Sequence, residues 1–461
     1  MRVLLVSPEP NTWNSRKHLP LGLGYLAAVL ERAGHTVVIY DAAVEVDPLA
    51  PVLAQGFDLV GVSAVTPLIY AAWQVAAQAK ALGYTTILGG PHLTLMPEES
   101  LVRPEVDLVA RGEAEDTILE VMEALAGQRD WSDILGLSYK GADGTPVHNP
   151  PRPLRKDLDS LPFPAHHLFK IDHYTNLQPL TDGLDPQARA FTIITSRGCP
   201  YQCIYCSKAI TGNTWRPRSP ENVIAEWRWL VRDLHATEIG VTDDVMTLNL
   251  DRAKEICRRL IAEGLHTVPW ITVHGIRVNN VDAELFQLMK RAGCKRVGFG
   301  VESGNQRVLD YMKKRQTIDE VRQAFRWARE AGLETMGFFI FGLPTETEET
   351  MEDTIRLALE LDPDLGNFMM AAPFPGTELY DIIQREGRLL DKDWTSAAIH
   401  DEHAHFEIGP LTAELVERKW HEAYRRFYMR PGRIWRKATR LDTWRRLPRY
   451  IADFRRFFVG R

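Results

Sequence analysis

Cys199, Cys203 and Cys206 lie together in the stretch "RGCPYQCIYCSKA", and the 461-residue chain has only two other cysteines. So few cysteines make no disulfide framework, and an intracellular cluster of them is more often metal-binding or catalytic. A structural zinc site wants four ligands, usually from paired CxxC units. No fourth ligand lies near this loop; His166 and His167 are well upstream. A ferredoxin-type cluster also wants four cysteines. Three thiolates on a four-iron cubane would leave one iron without a protein ligand, free to bind a substrate or cofactor. Cys257 in "KEICRRL" and Cys294 in "RAGCKRV" read as small buried residues.

A loop of this kind needs a rigid frame. From Arg189 the chain reads as strands alternating with helices. The strands are "AFTIITSRG" (190–198), "TEIGVTDD" (237–244), "PWITVHGIRV" (269–278), "KRVGFGVES" (295–303), "ETMGFFIFGLP" (334–344) and "NFMMAAPFPGT" (367–377). Six β/α units suit an incomplete β/α barrel, whose reactive groups gather at the carboxyl ends of the strands. Asp243, Asp244, Arg277, Glu302 and Ser303 stand at those ends, and the cysteine loop follows the first strand.

A separate α/β series fills residues 1–140. "RVLLVS", "HTVVIYDA", "FDLVGVSAVT", "TTILGGPH" and "VDLVARGE" read as buried strands with helices between them. That pattern predicts a parallel, doubly wound, Rossmann-like sheet, whose ligands sit at the strand ends. Here those ends carry Thr66, Gly89, Gly90, His92, Gly112 and Glu113, and their small residues let backbone approach a ligand. Residues 141–188 begin with a run rich in Pro and Gly and read as a linker. The expected domains are therefore 1–140, a linker at 141–188, a barrel at 189–400 and a helical region at 401–461.

The composition, 45% hydrophobic and 25% charged, is that of an ordinary soluble globular protein. No apolar run approaches the roughly 20 residues that cross a bilayer. The N-terminus reads as a strand rather than a signal peptide, so the default location is cytoplasmic. The net charge of -6 hides a basic tail: Leu411–Arg461 holds 15 Lys/Arg against 5 Asp/Glu. Its arginines alternate with Trp, Phe, Tyr and Leu. Such a tail suits helices covering the barrel or a peripheral contact with an anionic membrane. No nucleic-acid recognition fold accompanies the charge, and no nucleic-acid partner is expected.

CxxxCxxC with Tyr205 before the last cysteine resembles the signature of radical S-adenosylmethionine (SAM) enzymes. "VTDDVMTLN", "GFGVESGNQRVLDYMKK" and "GFFIFGLPTET" resemble that family's second-, fourth- and fifth-strand segments. "LPLGLGYLAAVLERAGHTV", "GVSAVT", "GGPH" and "VDLVARGEAE" resemble the cobalamin-binding domain of its B12-dependent branch. The resemblance implies that Cys199, Cys203 and Cys206 hold a [4Fe-4S] cluster whose open iron is chelated by SAM. It implies SAM contacts at Tyr205, Asp243, Asp244, Arg277, Glu302 and Ser303, and cobalamin contacts at Thr66, Gly89, Gly90, His92, Gly112 and Glu113. The segment "VTDD" departs from the usual Gly-Gly-Glu. The chain also has no Asp-x-His-x-x-Gly, so histidine need not ligate cobalt from below.

The activity so implied is a class B methyltransferase. A 5′-deoxyadenosyl radical would activate an unactivated carbon and methylcobalamin would deliver the methyl group. The alternative is an oxidative cyclase or rearrangement enzyme, for example on a tetrapyrrole; a non-catalytic sensor is a third reading. A tRNA methylthiotransferase would carry extra cluster cysteines in residues 1–140, which hold none. The implied partners are a small-molecule, lipid or pigment substrate and an electron donor such as flavodoxin or ferredoxin. No catalytic side chain beyond the cofactor contacts is assigned.

Overall fold

The computed structural model describes residues 1–9, 19–174, 188–391, 393–396 and 403–438. The first sheet is built from β1 (Arg2–Ser7), β2 (Thr36–Asp41), β3 (Leu59–Ser63), β4 (Thr85–Gly89) and β5 (Leu108–Ala110). These strands are parallel and ordered β2-β1-β3-β4-β5. The order reverses between β1 and β3, which opens a crevice at the carboxyl ends. Residues Val3 to Val6 are essentially fully buried. Val3 and Leu5 join one apolar cluster with the helix Leu21–Arg32, and Leu4 and Val6 join another with the helix Ile69–Ala81. A strand alternates its faces, so a strand covered on both sides must be apolar throughout.

The sheet continues past the expected boundary at 140. β6 (Leu137–Lys140) and β7 (Pro146–His148) form an antiparallel hairpin on the β5 edge. The sequence "GADGT", read as the start of a linker, is the hairpin's turn: Gly141 N donates to Thr145 O at 2.8 Å. Glycine and aspartate make tight turns as readily as linkers. The described residues that follow are a packed strap rather than a free tether. Ala165 N donates to Gly24 O, Tyr174 Oη donates to Asp41 at 2.7 Å, and His173 Nδ1 donates to Val44 O at 2.9 Å. Leu158, Leu161, Ala165, Phe169 and Tyr174 make one apolar cluster continuous from the first sheet into the second.

The second sheet contains β8 (Ala190–Ile193), with the short pair β9 (Ser196–Arg197) and β10 (Arg216–Pro217) beyond it. It continues through β11 (Glu238–Val241), β12 (Trp270–Thr272), β13 (Cys294–Glu302), β14 (Glu334–Phe341) and β15 (Leu365–Met370). The order β8-β11-β12-β13-β14-β15 is parallel throughout. Among the described residues β8 and β15 do not pair, so this is the expected six-stranded, open barrel. Helices return between strands, started by side-chain caps from Ser219, Asn249, Asp282, Thr317 and Thr347.

The region 401–461 is not helical throughout. β16 (Gly387–Leu389) pairs with β17 (Phe406–Ile408) before the helix Ala413–Tyr428 begins. That helix lies on β15, with Trp420 Nε1 donating to Phe368 O at 2.9 Å. In the following helix, Pro431–Ala438, Arg433 reaches Asp362, as Arg430 does from just before it, and Arg433 covers the Phe427 ring. These two arginines serve the barrel. The rest of the basic tail, 439–461, lies outside the described residues. No helix among the described residues is long and apolar enough to cross a membrane.

Candidate functional site

The cysteine loop runs from β9 to β10, and a buried isoleucine anchors it. Ile204 is buried among Val308, Leu309, Met312 and Leu379. Its N–H donates to Met312 O, and its carbonyl accepts from Leu379 N. Cys199 and Cys203 are half-buried and Cys206 is exposed. Burial raises the Cys199 thiol above its usual range, opposed by a backbone hydrogen bond from Tyr201 and by the Lys208 ammonium.

The donor set fits a cubane with one open iron. Cys257 and Cys294 are buried in the barrel core and supply no fourth thiolate. Among the described residues no three His, Cys, Asp or Glu side chains converge on a single metal ion. In a cubane each thiolate takes its own iron, so the thiols need only ring a common space.

Two groups press on this loop from the strand ends. Tyr205 Oη donates to Glu302 Oε1 at 2.9 Å, and Lys314 Nζ donates to the same oxygen at 2.5 Å. Glu302 is buried with φ of 64°, a left-handed conformation that costs a non-glycine residue on the order of 1–3 kcal/mol. Burial, then the Glu302 charge, raises the Tyr205 phenol well above its usual range, so it stays a donor. Arg277 is buried. Its guanidinium stacks on Tyr201 at 3.6 Å, lies 3.9 Å from Cys203 Sγ and donates to Lys314 O and Arg315 O. Lys314 escaped the sequence reading because "KKR" looks like a solvated run.

The other barrel candidates divide. Asp244 is exposed, and its Oδ2 accepts from Gly198 N and Thr211 Oγ1, both at 2.8 Å. Asp243 turns inward. It accepts from Thr195 N, Thr195 Oγ1 and Ser196 Oγ at 2.6 Å each. Burial raises its carboxyl above the usual range against those bonds. Ser303 is fully buried, against Thr354 Oγ1 and Asn305 N. The site therefore gathers Tyr205, Arg277, Glu302 and Asp244 with the cysteines, and leaves Asp243 and Ser303 as supports beneath it.

The first sheet's ends face the loop across a cavity of about 370 Å³. Thr66, Pro67 and Leu95 line one side, and Lys208, Ile210 and Asp244 the other. Gly89 O accepts from Ala64 N, and a Cβ on Gly90 (φ 111°) would stand 2.5 Å from Ala64 O. Gly112 (φ 76°) has open space where a Cβ would go. Gly90 is thus fixed by close packing on Ala64, whereas the open space at Gly112 leaves room for a bulky cofactor. His92 does not present itself to one. It is fully buried, with Nδ1 3.4 Å from Thr66 Oγ1 and Nε2 3.2 Å from Glu99, and it packs edge-on to Trp394. Burial lowers its pKa. Glu113 departs from the expected contact as well: both its oxygens are taken by Arg197 and Arg216. No local pattern announces that pairing, because the partners are far apart in sequence.

Known proteins share both parts of this chain. Residues 193–358 match the radical SAM superfamily, and residues 15–122 match the B12 binding domain. An uncharacterized methyltransferase of Pyrococcus horikoshii is 36% identical, covering 94% of this chain and 93% of its own. An anaerobic magnesium-protoporphyrin IX monomethyl ester cyclase of Rubrivivax gelatinosus is 29% identical, covering 85% and 71%. The radical SAM methyltransferase TsrM of Kitasatospora setae shares the fold, with a TM-score of 0.70 at 21% identity over 83% of this chain and 76% of that one. The chain is an enzyme with sites for a [4Fe-4S] cluster, SAM and cobalamin, and it belongs to the cobalamin-dependent radical SAM family.

Proposed function

We propose that this enzyme methylates an unactivated carbon of a small molecule. The observation that carries the reading is the shared cavity between the cysteine loop and the ends of the first sheet. When bound, SAM at the cluster supplies the oxidising equivalent that opens a C–H bond, and cobalamin supplies the methyl group. The chain's own residues would hold these groups and keep water away. Cys199, Cys203 and Cys206 hold the cluster. Tyr205, Asp244, Arg277, Glu302 and Lys314 surround SAM, with Asp243 and Ser303 bracing them. Thr66, Gly89, Gly90 and Gly112 would offer backbone to cobalamin, with His92 buried behind them. In domain terms, 1–140 and the hairpin to 148 form the cobalamin unit and 189–400 the barrel. A reduced flavodoxin or ferredoxin would deliver the electron.

The test is anaerobic reconstitution with iron, sulfide and cobalamin, followed by reductant, methyl-deuterated SAM and an extract of the source cells. Formation of 5′-deoxyadenosine and S-adenosylhomocysteine with a labelled product is the expected result. Extract-dependent 5′-deoxyadenosine without label or homocysteine product would favour oxidative cyclisation, the reading that the cyclase relative supports. For the basic tail we propose a peripheral membrane contact. Removal of 439–461 should then abolish salt-sensitive binding to anionic vesicles.

A further inference from the structure

β9 and β10 set two arginines face to face: Arg197 pairs with Arg216 across the antiparallel ladder. Like charges in direct opposition destabilise such a pair. Both are buried, at 7% and 4% exposure. These two residues bound the cysteine loop, since residues 198–215 leave from one and return to the other. Something must make that closure favourable, and it comes from the first sheet. Glu113, just past β5, accepts from Arg197 Nη1 at 3.0 Å and from Arg216 Nη2 at 2.9 Å on one oxygen. Its other oxygen accepts from Arg216 Nη1 at 2.8 Å and Arg155 N at 3.2 Å. Glu115 takes the remaining arm of Arg197 at 2.7 Å. Arg216 also reaches into the loop, donating to Thr211 O at 2.9 Å.

We infer that Glu113 is a positioning residue: one carboxylate of the cobalamin-binding unit clasps both ends of the cysteine loop and so sets the loop's shape. This rests on the reading that the loop holds the cluster. Two arginines facing each other with two carboxylates between them are balanced. Remove Glu113 and Glu115 still serves Arg197, but Arg216 is left buried without a counter-charge, the costly state. The strain falls on the loop's base, next to Cys199. Thr211 follows, since Arg216 steadies its carbonyl, and Thr211 in turn hydrogen-bonds Asp244 at 2.8 Å. Through this chain a residue that touches neither cofactor would shape both the cluster's seat and the SAM-facing side of the cavity.

The experiment compares wild type, Glu113→Gln, Glu113→Asp and, as a control, Glu120→Gln. Glu120, on the helix Glu115–Leu125 that follows Glu113, pairs with Arg152 rather than with Arg197 or Arg216. Each protein is reconstituted anaerobically and measured for iron per chain, bound cobalamin, thermal midpoint and the EPR spectrum of the reduced cluster with and without SAM. Glu113→Gln should keep wild-type cobalamin, lose cluster iron several-fold and lose the spectral change that SAM causes. Glu113→Asp, which keeps the charge, should recover part of both, and Glu120→Gln should match wild type. An unchanged cluster and SAM response in Glu113→Gln would overturn the inference. So would loss of cobalamin with an intact cluster, which would make Glu113 a cofactor contact. If Glu113→Gln does not fold, Arg216→Lys, which keeps the charge and loses the fork, is read the same way. A wild type that assembles no cluster would instead refute the functional reading on which the inference rests.

Discussion

The guanidinium of Arg277 lies flat on the ring of Tyr201 at 3.6 Å and holds a nitrogen 3.9 Å from the sulfur of Cys203. Tyr201 and Cys203 both belong to the cysteine loop, so one side chain fixes the loop's geometry and its local charge. A cation at that distance favours an added electron on any cluster the thiol holds. Arg277→Gln should lower the cluster's reduction potential, read by EPR-monitored redox titration. It should also destabilise the fold by about 1–3 kcal/mol, because the carbonyls of Lys314 and Arg315 lose a buried donor. Arg277→Lys should show the smaller shift in potential.

The five cysteines should separate cleanly in iron analysis. Alanine at Cys199, Cys203 or Cys206 should abolish the cluster's visible absorbance and its iron. Alanine at Cys257 or Cys294 should leave both intact and lower the thermal midpoint slightly, since each is a buried core side chain.

Gly90 and Gly112 have left-handed backbones of different surroundings. Gly90→Ala drives a Cβ to 2.5 Å from Ala64 O, so it should destabilise the first sheet and reduce cobalamin retention together. Gly112→Ala meets no atom within 4 Å. It should cost only the backbone penalty of about 1 kcal/mol and still reduce cobalamin retention, because the added methyl enters the space we propose for the cofactor. Differential scanning calorimetry alongside bound-cobalamin absorbance checks both.

His166 makes stability depend on acid. It is buried between Phe191 and Trp229, both ring nitrogens lack a hydrogen-bond partner, and burial pushes its pKa down to about 4. An unfolded histidine titrates near 6.5. Between these values the unfolded chain binds the proton and the folded one does not. The contribution is therefore full above about 6.5 and is lost as pH falls toward 4. His166→Phe should raise the thermal midpoint most at pH 5 and flatten its slope between pH 5 and 7.

The sequence discloses what is local. Three thiols on one loop, Val/Ile/Leu runs that must be buried on both faces, and a strand–helix rhythm repeated six times all lie within short windows. The open barrel and the crevice of the first sheet follow from them. What stays hidden is long-range or short. Glu113 meets Arg216 across a domain junction, and an acidic residue at a strand end looks the same whether it faces a ligand or an arginine. Lys314 hides in a cationic run, yet its neighbour's left-handed turn carries it inward to Glu302. β7 has too few residues for a period of two to be visible. His92 and Asp243 show the remaining ambiguity: a polar residue at a strand end is as useful bracing the site as lining it.

The apolar cluster that passes without a break from the helix Leu21–Arg32 to the barrel has a consequence for how the chain is made. The N-terminal unit emerges first from the ribosome, at roughly 5–20 residues per second. Until Phe169, Tyr174 and Phe191 arrive, part of that helical face has nothing to lie against. The early half of the molecule must wait with an oily flank bare. Slow or interrupted synthesis should therefore yield aggregates rather than a stable amino-terminal fragment, and neither unit should be transplantable without the strap that joins them.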